Sequence, residues 1–221
     1  MKKILSVICL ITFIVCFIGC NKAGLADAVY DGSSYKAVLQ QYIEQNDNIG
    51  AEFPQIYFMN GKYTVAASYF GLFVIDNTAK KVDSFIDLKK YDCNYFQGDV
   101  ITKISSDDKS EKLYFYNTEN DKIVADKVYS YDIKSRKISK AKAEEIGAGS
   151  VPMQSGTLRD VLDEADEDLA VKLSEYADRN ISTVYKGNEQ MVFAVSDEWR
   201  ISNLKLVIVD VKNGDVKEIA I

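Results

Sequence analysis

The sequence contains no histidine, and outside its first twenty residues it contains a single cysteine, Cys93. The absence of histidine excludes a Ser-His-Asp or Cys-His catalytic arrangement, a zinc site with imidazole ligands and a histidine proton shuttle. A single thiol cannot form an internal disulfide. Stability must therefore come from an ordinary apolar core, for which a hydrophobic content of 47% is sufficient.

The first twenty residues have the pattern of a secretory leader. Lys2 and Lys3 precede an uncharged apolar run, which ends at Gly19-Cys20. This pattern predicts a signal peptide over residues 1–19. The ending FIGC resembles the lipobox of bacterial lipoproteins, which implies that Cys20 is lipidated, with palmitate among the acyl chains. An uncleaved membrane anchor is the alternative, because about 17 apolar residues is the short limit for a span.

Both interpretations of the leader place the remaining chain on the extracytoplasmic face of the cell membrane. Removing residues 1–19 takes away two lysines and no acidic residue, so the formal charge changes from −6 to −8. An acidic surface argues against nucleic acid as a partner and against electrostatic docking onto anionic lipid. We therefore expect the membrane contact to be made by the N-terminal lipid. Residues 20–33 are small and polar, as expected of a flexible tether.

Three segments of the sequence repeat one pattern. Alternating apolar residues lead to an aspartate, a polar stretch follows, and an apolar residue returns six positions later. The aspartates are Asp76, Asp132 and Asp210, and the returning residues are Val82, Ile138 and Val216. The pattern predicts β-hairpins whose aspartate accepts hydrogen bonds from turn amides. Asn60-Gly61 and Asn213-Gly214 are further turn signals.

Two more strand-like runs precede each hairpin, which gives three units at about 55–88, 99–141 and 181–220. We expect a single, mainly β domain over residues 34–221, built from three propeller-like four-stranded antiparallel units. Closed propellers need about four to eight blades. The three units therefore predict an open or incomplete propeller, and we expect a monomer.

Two amphipathic helices are predicted beside the strands. The first runs from Ser34 to about Gln45, with Tyr35, Val38, Leu39, Tyr42 and Ile43 on one face. The second is an insertion at about 157–178, with an apolar stripe formed by Leu158, Leu162, Ala165, Leu169, Leu173 and Tyr176. Each helix should bury its stripe against the sheets, where it would also protect exposed strand edges.

No motif assigns a catalytic residue, a metal site or a cofactor. The acidic run from Asp163 to Ala170 has no glycine turn of the kind that calcium loops need, so we interpret it as a solvated helix face. The segment from Asp210 to Asp215 has the aspartates and the glycine of a cation-binding loop, but we interpret it as a hairpin turn. With 33 acidic residues, a carboxylate-pair hydrolase acting on cell-envelope sugar or peptide stays open as an alternative function.

The stretch YDCNYFQGD, Tyr91 to Asp99, stands between the first two units. With the preceding GLFVIDNTAKKVDSFIDLK, it resembles the propeller-type repeat in the extracytoplasmic part of Firmicutes membrane proteins of the M56 (BlaR1-like) peptidase family. In that family the zinc peptidase is a separate membrane domain with a histidine motif, which this chain lacks. The resemblance therefore implies a free-standing counterpart of the sensor-like half.

Two interpretations of this stretch remain open. It is either a crossing between units, with Cys93 buried and Gly98 in a turn, or a partner-binding patch formed by Tyr91, Asn94 and Tyr95. The first function hypothesis is accordingly a non-catalytic binding or sensor protein that engages an envelope protein or peptide through loops.

Replacement of Cys20 tests the predicted anchor. The Cys20→Ala variant should lose its lipid, because the other two thiols of the leader, Cys9 and Cys16, do not follow a small residue as Cys20 does. It should be found unprocessed or in the culture medium. Metabolic labelling with a fatty acid measures this, and label retained by the variant would contradict the prediction.

Overall fold

The computed structural model describes residues 28–31, 33–45, 55–68, 71–95, 98–107, 112–146, 158–159, 167–181, 184–186, 190–196 and 204–221. The predicted signal peptide, Cys20, Leu162 and Ala165 lie outside these residues. In the described part of the chain the fold is mainly β, as predicted. No helix among these residues is long and apolar enough to cross a membrane.

The structure is dominated by short antiparallel strands. They are β1 (Val29–Asp31), β2 (Gln55–Met59), β3 (Tyr63–Ser68), β4 (Gly71–Asp76), β5 (Lys81–Ile86), β6 (Val100–Asp107), β7 (Lys112–Glu119), β8 (Lys122–Asp132), β9 (Lys137–Lys140), β10 (Asn180–Ile181), β11 (Tyr185–Lys186), β12 (Gln190–Ser196), β13 (Lys205–Asp210) and β14 (Asp215–Ala220). The α-helices are α1 (Tyr35–Gln45) and α2 (Glu167–Ser174), and 3-10 helices occupy Leu88–Tyr91 and Ala143–Glu145.

The strands form three antiparallel sheets, none of which closes on itself within the described residues. The first sheet has the order β1-β5-β4-β3-β2, and the second has the order β6-β7-β8-β9. In the third sheet β10 and β11 both pair with β12, which is followed by β13 and β14. Neighbouring strands are therefore mostly consecutive in the sequence, as short hairpin connections require.

Strand β1 departs from the expected organisation. Residues 20–33 were expected to be a tether, but Val29 pairs with Ile86 and Asp31 pairs with Ser84. The prediction was wrong for residues 29–31, because pairing with β5 satisfies their backbone groups, whatever the polarity of the segment. The first sheet consequently has five strands.

The first sheet lies between the other two. One of its faces packs against the second sheet, through Val65, Leu72 and Val74 on one side and Leu113, Phe115 and Tyr131 on the other. Its opposite face packs against the third sheet and α1, through Ala66, Phe73 and Phe85 against Leu206, Ile208 and Leu39. The spatial order of the sheets is therefore second, first, third.

This order explains the burial pattern of the strands. Every residue of β3 is buried, as are the first five of β4, because both faces of the first sheet are covered. Strand β6 instead alternates, with Thr102 and Ile104 buried and Ile101 and Lys103 exposed. Among the described residues, a sheet packs against one face of the second sheet and none against the other.

Both predicted helices pack as expected in their described parts. Tyr35 and Leu39 of α1 are buried between the first and third sheets. Leu169 and Leu173 of α2 pack on the outer face of the third sheet, together with Leu158 and Tyr176. The hydroxyl of Tyr176 donates to Glu218 Oε1 at 2.8 Å, which ties the end of α2 to β14.

The three repeated turns confirm the predicted role of their aspartates. Asp76 Oδ1 accepts from the amides of Thr78 and Ala79, at 2.8 and 2.7 Å. Asp132 accepts from Ser135, and Asp210 accepts from Lys212. The last residue of each turn has a left-handed backbone, with φ of 53° at Lys80, 55° at Arg136 and 67° at Gly214. The repeats thus share one turn geometry.

Packing of α2 on the third sheet is tested by two substitutions in the same helix. Leu173→Ala should lower the free energy of unfolding by about 2–5 kcal/mol, because it leaves a cavity at a fully buried position. Val171→Ala should change it by less than about 0.5 kcal/mol, because Val171 is 68% exposed. Urea unfolding followed by circular dichroism measures both. Equal midpoints for the two variants would contradict the packing.

Candidate functional site

Residues 87–95 carry the chain from the first sheet to the second, and we call them the crossing segment. Asp87 begins the 3-10 helix at Leu88–Tyr91, where its side chain accepts from the amide of Lys89 at 3.2 Å. The same carboxylate accepts from the hydroxyl of Tyr42 at 2.8 Å, and Asp87 is almost fully buried. The start of the crossing segment is therefore fixed to α1.

Two residues of the crossing segment belong to the core. The ring of Tyr91 is 4% exposed and packs edge-on against Phe115 and Tyr129, at centroid distances of 5.3 and 4.9 Å. This position does not fit the prediction that Tyr91 contacts a partner. Cys93 is fully buried, as the crossing interpretation predicts, and burial raises the pKa of its thiol to about 12.

Asp92 organises the polar side of the crossing segment. Its backbone is left-handed, with φ of 55°. Its carboxylate accepts from Lys127 Nζ at 2.8 Å and from the hydroxyl of Tyr95, and these two bonds lower the pKa of Asp92. Its carbonyl accepts from Asn117 Nδ2 at 2.7 Å. The second sheet thus holds Asp92 through both its backbone and its side chain.

Asn94 and Tyr95 are the parts of the predicted patch that reach the surface. Asn94 is half-buried, and Tyr95 is 38% exposed. The amide of Tyr95 donates to Thr102 Oγ1 at 3.0 Å, and its carbonyl accepts from the amide of Thr102 at 2.6 Å. A partner that binds Tyr95 would therefore contact a backbone that these two hydrogen bonds already hold in place. Gly98 has φ of 101°, as expected for a turn glycine.

A cleft of about 400 Å³ opens toward the other end of β5. It lies where the loop before α1, the start of β5 and the β8–β9 turn come together. Its lining residues combine both charges with two hydroxyl groups: Asp31, Ser33, Ser34, Lys81, Val82, Asp83 and Arg136. The cleft therefore lies between the first and second sheets and is mostly polar.

Arg136 joins the two walls of this cleft. Its Nη2 lies 2.6 Å from Asp83 Oδ1, and its Nη1 lies 3.8 Å from Asp31 Oδ2. The bond to Asp83 raises the pKa of Arg136 above its usual value. Both carboxylates thus converge on one guanidinium, which leaves the fork of Arg136 partly open to further acceptors.

A buried hydrogen bond joins β8 to β5 beside the cleft. The hydroxyl of Tyr131 in β8 donates to Ser84 Oγ at 2.7 Å, next to Asp83. Burial raises the pKa of Tyr131 to about 12. Because Tyr131 and Ser84 are both fully buried, this bond fixes the second sheet against β5 at the level of the cleft.

Sequence reasoning missed the cleft residues. Arg136 and Asp83 are 53 positions apart, and Arg136 appears in the sequence only as one residue of a repeated turn. No local pattern indicates that this turn reaches β5. Among the described residues no group of three or more His, Cys, Asp or Glu side chains could hold a metal ion.

Comparisons of the chain with protein-family models, curated proteins and solved structures give no match.

The reactivity of Cys93 tests the structure of the crossing segment. At pH 8 the thiol should react with a bulky maleimide at least 100-fold more slowly in the native protein than in urea, because only the exposed thiolate is an efficient nucleophile. An Ala125→Cys variant, whose new thiol lies at an exposed position, provides the fast control. Mass spectrometry of the Cys93 peptide measures the rate. Native labelling as fast as that of the control would contradict a buried thiol.

Proposed function

We propose that the protein is a lipid-anchored, non-catalytic binding or sensor-type protein on the extracytoplasmic face of the cell membrane. In this proposal the three sheets are propeller-like four-stranded units of one monomeric, incomplete propeller. Strand β1 is then an addition to the first sheet, and β10 and β11, which pair with different parts of β12, together take the place of one strand in the third. Two contacts between sheets support the proposal. Strand β2 approaches β6, and these are the first strands of the first two proposed units; β5 approaches β14, and these are the last strands of the first and third units. Such an arrangement would suit a free-standing relative of the M56 sensor-like repeat region.

The cleft is the observation that carries the binding function. It offers a guanidinium from Arg136, carboxylates from Asp31 and Asp83, and hydroxyls from Ser33 and Ser34. A peptide or a protein loop presents carbonyl, amide and charged groups that match such a mixed surface. We therefore propose an envelope protein or peptide as the partner.

The exposed pair Asn94 and Tyr95 is a second proposed contact. Tyrosine provides a large, rigid contact area with a polar tip, which suits protein surfaces. The crossing segment lies beside Ala28, where the predicted tether enters the fold.

The alternative function, a carboxylate-dependent hydrolase, also has an observation in its favour. Asp31 and Asp83 lie in one cleft, and glycoside hydrolysis requires two carboxyl groups across the scissile bond. One of the two must act as a protonated acid and the other as an ionised nucleophile or base. Because Arg136 lies close to both, the arrangement supports binding better than hydrolysis.

Site-specific crosslinking tests the proposed binding function. A photoreactive amino acid at position 33, in the cleft, should give a discrete adduct with an envelope component in intact cells. The same group at position 122, an exposed lysine outside the cleft, should not. Adding Arg136→Lys should reduce the adduct several-fold, because lysine keeps the charge but loses the planar fork. Identical adducts from positions 33 and 122 would contradict a specific site.

Incubation of the protein with purified cell-wall material distinguishes the binding function from the hydrolase function. The binding proposal expects no soluble sugar or peptide fragments to be released by the wild-type protein. Release that Asp83→Asn abolishes, in a variant that remains folded, would establish the hydrolase instead.

A further inference from the structure

A chain of hydrogen bonds connects the core to the guanidinium of Arg136. The hydroxyl of Tyr131 donates to Ser84 Oγ at 2.7 Å, and the hydroxyl of Ser84 donates to Asp83 Oδ2 at 3.3 Å. The other carboxylate oxygen, Asp83 Oδ1, accepts from Arg136 Nη2 at 2.6 Å. Both oxygens of Asp83 are therefore engaged within the protein. The guanidinium is held in one position before any ligand arrives, which lowers the entropy cost of binding.

Most N–H groups of this guanidinium have no acceptor within the described residues. A guanidinium has several N–H donors in a planar fork, and Asp83 accepts from only one of its nitrogens. The neighbouring Nη1 lies 3.8 Å from Asp31 Oδ2, which is close enough for an ion pair but too far for a hydrogen bond. No further hydrogen bond of the Arg136 side chain is found in the described part of the chain. The remaining donors are directed at whatever enters the cleft or at solvent.

The carboxylate of Asp31 shows which chemical group fits beside Nη1. Asp31 is the last residue of β1, and its side chain is mostly exposed. The position next to Nη1 is thus already approached by a carboxylate, but without a direct bond. Exposed pairs of this kind are weak, whereas a carboxylate that accepts two N–H bonds from one guanidinium is held more strongly. A ligand carboxylate can therefore displace Asp31 from Arg136.

The turn that carries Arg136 does not itself require an arginine. The three repeated turns share one geometry, and the same left-handed position is occupied by Lys80 in the first and by Gly214 in the third. Glycine adopts this conformation with the least strain. Turn geometry therefore does not account for the arginine, whereas its contacts across the cleft do.

The cleft has no net charge that would attract an anion from a distance. Two of its lining residues are cationic and two are acidic: Lys81, Arg136, Asp31 and Asp83. Asp83 is committed to Arg136, while the ammonium group of Lys81 has no ion pair or hydrogen bond within the described residues. Recognition must therefore come from direct contact with the available donors.

We propose that the cleft recognises a carboxylate group of its partner, either the C-terminus of a peptide or the side chain of an aspartate or glutamate. Arg136 donates two N–H groups to this carboxylate, and Lys81 provides a second cation. Asp31 competes with the ligand and moves away when the ligand binds. This inference rests on the proposed binding function and specifies the group that is bound. A cleft of about 400 Å³ is of the size that holds a small ligand or the end of a chain.

The experiment titrates the full-length lipidated protein, in micelles of a neutral detergent, with three N-acetylated tripeptides. The first is trialanine with a free C-terminus, the second is its C-terminal amide, and the third is the amide with a central glutamate. Dissociation constants come from the shifts of the backbone amide resonances of Ser34 and Asp83. The free acid should bind at least about tenfold more tightly than its amide, because charge-assisted hydrogen bonds are lost with the carboxylate. Binding of the third peptide then shows whether a side-chain carboxylate is also accepted.

Three variants test the roles of the cleft residues. Arg136→Lys should weaken binding of the acid peptide about tenfold, because lysine keeps the charge but loses the fork. Asp31→Asn should strengthen it about two- to fivefold, because the competing carboxylate is removed. The matched control, Lys134→Gln, removes an exposed charge from the same turn and should leave the dissociation constant unchanged. An unaltered amide spectrum outside the cleft shows that each variant is folded.

Equal binding of the acid and amide peptides would overturn carboxylate recognition. Weaker binding by Asp31→Asn would also overturn it, since Asp31 would then hold a cationic group of the ligand. Crosslinking from position 33 separates this inference from the proposed function. A specific adduct without peptide binding leaves the binding function standing and makes the carboxylate inference wrong. Binding of the acid peptide without an adduct supports the carboxylate site and makes the proposed envelope partner wrong.

Discussion

The first sheet has two apolar faces, so it is stable only when a layer covers each of them. Large side chains such as Phe73, Phe85 and Leu72 lie on these faces, and each gains about 1.5–3 kcal/mol from burial. The second sheet follows directly in the sequence and covers one face. The third sheet must then return to the other face, with α1 filling the space beside it. The spatial order of the sheets follows from this requirement.

Within the described residues, the second and third sheets each have an outer face with no further sheet against it. These two outer faces differ in what packs on them. Helix α2 covers the outer face of the third sheet with Leu169 and Leu173. On the second sheet a smaller cluster of Tyr114, Val128 and Ala141 lies under the segment that follows β9. The rest of that face carries polar or exposed side chains, as alternation along β6 indicates. Each outer face is therefore covered, or carries polar side chains, through residues of its own sheet and of the segments next to it.

Local patterns in the sequence were sufficient to predict much of this fold. The aspartate turns, α1 and the three groups of strands depend on contacts within a few residues, and such contacts leave periodic patterns. The cleft depends on contacts between distant segments, of which Arg136 with Asp83 is the example, and these leave no local pattern. Both interpretations of Tyr91 stayed open in the sequence, because an aromatic residue in a loop-like stretch is equally compatible with a surface patch and with the end of a core. Only the approach of Phe115 and Tyr129 decides between them.

The two candidate surfaces differ in how firmly they are held, and this difference matters for binding. The crossing segment is fixed by buried residues, since Leu88 and Cys93 are fully enclosed. In the cleft, the Asp31 side chain is 73% exposed and lies 3.8 Å from Arg136. Exposed ion pairs of this kind contribute about 0–1 kcal/mol, so a ligand group can replace Asp31 at little cost while the shorter bond to Asp83 keeps the guanidinium in place. A site that exchanges one weak internal contact for a ligand, while a shorter bond holds the guanidinium, suits reversible binding.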